Sequence, residues 1–407
     1  MRRRVSGLFS VLQREINFII KDKDLIVIIL LSPIFYACFY GSAYFHKSEQ
    51  DVPVAVVDMD KSSLSQQLIR NLDAHQLINI NEVLPDLNSA IDRVNSFKSH
   101  GIVFIPKNFE NNLKSGKGTD LKVYLNTTRF LISNDINKAV NEVTGTISAG
   151  VRLKYFQTQG YSFEQAKELI EPLNCEVKSL FNPVEGYGDF LIPGLLVLIL
   201  QQTLLIGLAE SVAKEREFNT LHELYATSNK SIWATITGKG LFYFILFSSY
   251  AVLFYTLHFS IFKISFRGSV SAVVLLTALF LISVIYMGIF VSSFFKRKIV
   301  SLQLFAFTSY PFFLISGYPW PRQTMPLPIR YLSYVIPSTP YLNAFNRITQ
   351  MGAGWIDILP ELYQLVILCC LGLVLAKIRM KILVNKEDAK RKKEDGFGVE
   401  NLETSGV

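Results

Sequence analysis

The sequence predicts an α-helical polytopic membrane protein with six transmembrane helices and an extracytoplasmic α/β domain inserted between the first two. Three observations predict it. Half of the 407 residues are apolar and 18% are charged, against about 25% charged in ordinary soluble chains. The apolar residues gather into six windows, at 25–45, 190–213, 233–262, 270–295, 299–318 and 359–376, each near the ~20 helical residues that cross a bilayer core. Between the first two windows lies a long polar stretch in which short apolar runs alternate with helical patterns. This composition excludes a disordered chain. The net charge of +8 sits beside the apolar windows, which points to lipid headgroups and not to nucleic acid.

In chain order, residues 1–24 form an amphipathic arm. Val5, Leu8, Phe9, Leu12, Ile16, Ile19 and Ile20 recur at three- and four-residue steps, one apolar helical stripe. Arg2 to Arg4 and Arg14 lie off it, so the arm reads as an interface helix with its basic face toward headgroups, or additionally as a docking surface for a partner. Residues 25–46 hold the first span. Its apolar stretch is too long for a cleaved signal peptide, so an uncleaved anchor is expected.

The insert, 47–187, alternates strands and helices. Val52 to Val57 reads as a buried strand, Leu77 to Leu84 as a second, Gly101 to Ile105 as a third and Asp120 to Leu125 as a fourth. Helices are expected from Ser62 or Ser63 to Leu72, from Asp86 to Phe97, after Pro106 to Leu113, and from Phe130 to about Gln157. Asp58 and Asp60 follow the first strand and read as caps in preference to metal ligands or catalytic acids. The five-helix bundle, 188–380, carries a charged loop at 213–230 and a proline-rich outer segment at 319–357; a basic tail, 381–407, follows. Four scattered cysteines and five scattered histidines have no disulfide-framework or metal-ligand spacing.

Charge sets the orientation. With the N-terminus in the cytosol, 21 Lys and Arg residues flank the spans inside, against five in the short outside segments. Both termini are then cytosolic and the insert is outside. Glu210, near the inner end of the second span, is expected to reach water.

The sequence resembles the membrane subunit of type-2 ATP-binding-cassette exporters, in the branch with a large extracytoplasmic insert. The likeness rests on Val52 to Ser65, on Gly101 to Phe109, on Tyr187 to Leu195 entering the second span, and on Glu215, Arg216 and Glu217 followed by Thr220, Leu221, Glu223 and Leu224. Ser316 to Pro319 and Ile336 to Tyr341 complete it in the family's order. Where the family commonly carries glycine before the threonine, this chain has Phe218-Asn219.

The resemblance implies that Glu215 to Leu224 form a coupling helix seated on a cytosolic ATPase, with the charges pairing to the partner and Leu221 and Leu224 as apolar anchors. The chain carries no Walker A loop, so ATP and Mg belong to that separate ATPase subunit and no cofactor is expected here. A second permease copy or close relative completes the transporter, and a periplasmic adaptor is a further expected partner. The location implied is a bacterial cytoplasmic membrane. Gln201, Gln202 and Thr203 are either interhelical hydrogen-bond glue or the lining of a substrate path. Pro319, Pro337 and Pro340 belong either to an aromatic belt with broken helices or to re-entrant helices closing the outer end. The rival to a permease is a membrane-anchored receptor or scaffold. A membrane-embedded enzyme would need paired carboxylates or histidines within the spans.

Overall fold

The computed structural model describes residues 2–45, 50–170, 179–182 and 186–404, and side chains for 7–45, 50–170, 179–182 and 186–389. Cys175 and the side chains of Arg2–Arg4 and of most of the basic tail therefore lie outside the described residues. The chain separates into two compact units: Met1–Phe45 with Ser179–Val407, and His46–Lys178.

The chain starts with α1 (Arg2–Lys21) and the first span α2 (Lys23–Ala43). The second unit is a four-stranded sheet of order β2-β1-β3-β4, with β1 (Val52–Asp58) parallel to β2 (Ile78–Leu84) and to β3 (Gly101–Ile105), and β4 (Lys122–Leu125) antiparallel to β3. The unbroken Val-Pro-Val-Ala-Val-Val run has a cause: β1 is buried on both faces. Val54, Val56, Val103 and Ile105 pack under α3 (Ser63–Asp73), α5 (Phe109–Lys114) and α6 (Phe130–Thr158), while Ala55, Val57 and Ile102 face α4 (Leu87–Asn95). Each fully buried valine or isoleucine contributes about 1.5–3 kcal/mol. A short helix, α7 (Phe163–Ile170), follows.

Asp58 and Asp60 are caps. Asp58 accepts from the Asp60 and Lys61 amides at 3.0 and 2.9 Å and from the Ser65 hydroxyl at 2.7 Å. Asp60 accepts from the Phe109 and Glu110 amides, both at 3.1 Å, at the start of α5. Ser62 and Asp86 cap α3 and α4 through the Ser65 and Ser89 amides, as those residue types do at N-termini.

The other unit is polytopic. After α8 (Tyr187–Glu217) and the short α9 (Leu221–Thr227) come α10 (Ile232–Ile261), α11 (Val270–Ser292) and α12 (Lys298–Ile315). Two short helices, α13 (Leu327–Ser333) and α14 (Ser338–Thr349), lead to α15 (Leu359–Thr404). Among the described residues six helices are long and apolar enough to cross a membrane. In α8, 83% of the most apolar stretch is buried, against 22% in α12. The second span is thus the centre of the bundle.

Two spans contain a π-helical turn, Val27–Leu31 and Phe254–His258. Such turns leave carbonyls short of partners. The Tyr250 hydroxyl lies 3.0 Å from the carbonyls of both Ile29 and Leu30, and His258 Nε2 lies 2.9 Å from the Ala37 carbonyl. Side chains of α10 thereby satisfy the backbone of α2 in a setting where water cannot.

The proline-rich segment is also anchored. Tyr341 is fully buried, its hydroxyl 2.7 Å from that of Tyr255 and 2.9 Å from that of Thr277, with its ring stacked 4.2 Å from Phe280. The Tyr318 hydroxyl donates to the Phe190 carbonyl, and its ring stacks on Phe190. A Cβ on Gly194 would stand 2.3 Å from the Tyr318 ring, so glycine is required there.

Candidate functional site

The amphipathic arm does not turn its whole apolar stripe to lipid, and this corrects the surface-helix expectation. α1 lies along α10. Its buried line is Gly7, Val11, Glu15 and Ile19, while Phe9 and Ile20 are exposed. Two glycines permit the contact. A Cβ on Gly7 would stand 2.6 Å from the Ser228 carbonyl, and one on Gly238 would stand 2.8 Å from Val11 Cβ and 2.9 Å from the Leu8 carbonyl. The backbones meet because neither residue has a side chain.

That contact buries charge at the basic end of the bundle. Lys239 Nζ lies 2.6 Å from Glu15 and 3.3 Å from Glu215, with these side chains 1–3% exposed. Arg14 forks onto Glu215 with bonds of 2.8 and 3.0 Å, the bidentate geometry of a strong charge-assisted pair. So Arg14 binds a carboxylate within the chain and not a headgroup. Beside this cluster, Lys214 donates to Asp22 at 2.6 Å and sits 3.7 Å over the Phe18 ring. Burial acts to raise the Asp22 pKa. The hydrogen bonds from Lys214 and the Leu25 amide, with the Lys214 and Lys298 charges, outweigh it, and the carboxyl is held below its usual value. Its stabilising contribution is therefore present above the ordinary carboxylate value and is lost as the pH falls through the lowered one. Glu210 does not reach water as expected. It is buried within the central helix, 3.7 Å from Lys298 and 3.9 Å from Lys214.

The acidic–basic–acidic run joins elements of this chain. Glu215 also accepts from the Thr220 hydroxyl. Arg216 donates to the carbonyls of Ser293 and Phe295 at 2.6 and 2.8 Å, closing the end of α11. Glu217 accepts from the Lys298 amide at 2.7 Å, capping α12. Arg216 and Glu217 each meet the helix-end polarity that suits them. Leu221 and Leu224 are 2% and 0% exposed, in the bundle core. The expectation that they insert into a partner is corrected: α9 turns them toward its own bundle, where the apolar surface is. Glu215 is likewise committed internally.

What the tip and α9 present outward is Glu217, Phe218, Asn219, Glu223 and Ala226, with Phe218 59% exposed. Asn219 has φ 56°, the left-handed region. Asparagine tolerates that conformation, so it serves where the resembling sequences carry glycine.

The mid-bundle candidates separate. The Thr203 hydroxyl donates to the Ile199 carbonyl of its own helix at 2.6 Å, and Gln202 is half-buried. Gln201 is 2% exposed and among the described residues its Oε1 has no hydrogen-bond partner. It lines a cavity of about 170 Å³ with Leu205, Val284, Met287, Phe305 and Pro337. Gln201 and Pro337 thus share one apolar cavity. Pro340 is buried and Pro319 half-buried, and neither lines it. An unpartnered buried amide oxygen costs about 1–3 kcal/mol. Gln201→Leu is therefore expected to raise the thermal midpoint of the purified chain; a fall would mean that the amide is engaged.

Glu15 escaped the reading of the sequence, and Arg14 and Lys239 entered it only as cytosolic basic residues. Their signals were one lysine inside an otherwise apolar window and one glutamate on the four-residue line Gly7, Val11, Glu15, Ile19.

Comparison with known proteins agrees with this architecture. A family model described as ABC-2 family transporter protein matches residues 23–378. The chain is similar to the inner membrane transport permease YhhJ of Escherichia coli, 23% identical over 373 residues, covering 89% of this chain and 94% of the relative. The probable multidrug ABC transporter permease YbhR of Escherichia coli is 26% identical over 228 residues, 54% of this chain and 61% of that protein. The linearmycin resistance permease protein LnrN of Bacillus subtilis is 22% identical over 362 residues, 85% and 91% respectively.

Proposed function

The chain belongs to the ABC-2 transporter family and is a membrane-spanning permease subunit of an ABC transporter; from that premise we propose that it exports amphiphilic cargo outward across a bacterial cytoplasmic membrane. ATP and Mg are bound by a separate cytosolic ATPase, and a second copy or close relative of this chain completes the path. The basic end is cytosolic, in keeping with the excess of Lys and Arg flanking it, and the α/β unit lies outside, where it docks an envelope adaptor or guides cargo. The multidrug and linearmycin-resistance names of two relatives support the choice of cargo class. The cavity holding Gln201 and Pro337 is a segment of the path.

One observation carries the reading: the tip that joins α8 to α9 offers an exposed phenylalanine between acidic residues, while the charges behind it fix its position. Phe218 is the anchor and Glu217 and Glu223 flank it, in place of the buried leucines. Affinity purification from the native host in mild detergent is expected to recover a stoichiometric protein with a Walker A loop. Phe218→Ala combined with Glu223→Lys should cut that recovery at least tenfold without altering the elution of the permease. Recovery unchanged by the variant would place the docking elsewhere, and absence of any such ATPase would overturn the reading.

A further inference from the structure

We propose that a cleft at the basic end of the bundle binds the phosphate of an anionic lipid headgroup. The cleft measures about 870 Å³ and is bordered by Tyr225 of α9, Lys230 and Ser231 of the following turn, Trp233 of α10 and Lys377 of α15. Three helices therefore converge on it.

Its chemistry is cationic. Lys230 and Lys377 are both exposed, and among the described residues neither has an ion-pair partner. Among the described residues no carboxylate borders the cleft. The other ion pairs at this end bind their lysines internally, Lys214 to Asp22 and Lys239 to Glu15. Lys230 and Lys377 are the cations that border the cleft. The first residues of α10 add to the field: Ser231 caps the helix by accepting from the Ala234 amide, and the positive end of its 22-residue stretch before the π-helical turn opens at Ile232 and Trp233, which border the cleft. Such an end favours phosphate oxygens.

Depth selects the source of the phosphate. Ile232 begins a membrane span, so the cleft lies where the apolar helix gives way to the polar turn. Trp233 is 45% exposed and Tyr225 half-buried, the amphipathic aromatic pair found at headgroup level. Basic pockets between helices at such a level take anionic headgroups, with the lysine stems along the glycerol and acyl carbons. Free phosphate or a nucleotide offers the same oxygens without the acyl chains.

The test uses the full chain in nanodiscs, with Trp320→Phe and Trp355→Phe leaving Trp233 as the sole tryptophan of the three. Phosphatidylglycerol with brominated acyl chains should quench Trp233 at a mole fraction at least tenfold lower than brominated phosphatidylcholine of the same chains. Lys230→Gln with Lys377→Gln should abolish that preference, and Lys230→Arg with Lys377→Arg should keep it. Equal quenching by both lipids, or a preference that survives the glutamine pair, overturns the proposal. Reversal of the preference by millimolar inorganic phosphate or ATP would assign the cleft to a soluble anion, and also overturns it. So does a glutamine pair that keeps the lipid preference but loses a co-purifying protein.

Discussion

Lys239→Met should destabilise the folded chain by about 3–5 kcal/mol, the range seen when one partner of a buried ion pair is removed. The substitution retains the volume of the stem but leaves the Glu15 carboxylate, 3% exposed, with only the Tyr243 hydroxyl at 3.4 Å among the described residues. Glu215→Ala should cost less. Arg14, freed by that change, is 25% exposed and can turn to water, while Lys239 keeps Glu15. The pair Glu15→Gln with Lys239→Met should recover most of the single loss, because Arg14 and Glu215 remain matched. Thermal midpoints from fluorescence-detected size exclusion will order the three. A Glu215 variant worse than the Lys239 variant, or a double variant no better than Lys239→Met, would show that the four charges do not act as two pairs.

Gly238→Leu should lift α1 from the bundle. A Cβ there already meets Val11 and the Leu8 carbonyl below 3.0 Å, and backbone cannot yield as a side-chain tip does. Overpacking of this kind costs about 1–3 kcal/mol, and the neighbouring Lys239–Glu15 pair adds to the loss if the helices part. Val11→Cys, in a chain whose native cysteines are replaced by alanine, reports the separation. Labelling by a maleimide should be slow with Gly238 present and at least tenfold faster with Gly238→Leu. Equal rates would mean that α1 is not held by this contact.

The spans, strands and caps were legible in the sequence because each depends on a local pattern. Twenty apolar residues in a row have few alternatives to a membrane helix, and Asp58 and Asp60 stand where a strand gives way to a helix. What was not legible depends on which helix faces which. Lys239 counts as a loop cation when the chain is read in a line, yet packing against α1 makes it an interior one. Leu221 and Leu224 show an apolar stripe whose direction a short helix does not encode: it serves a partner or the chain's own core equally well, and the core takes both. Asn219 is an intermediate case. The absent glycine was visible, and the left-handed backbone that makes asparagine its substitute was not.

These corrections move the expected ATPase contact from the buried leucines to Phe218, and that shift can be examined directly. A photoreactive benzoylphenylalanine incorporated at position 218 and irradiated in native membranes should form an adduct with a protein carrying a Walker A loop, identified by mass spectrometry. The same probe at Leu224 should form none, since that site is enclosed. Adducts from position 218 only with lipid, or with proteins lacking a nucleotide-binding loop, would contradict an ATPase-coupled permease docked at this tip.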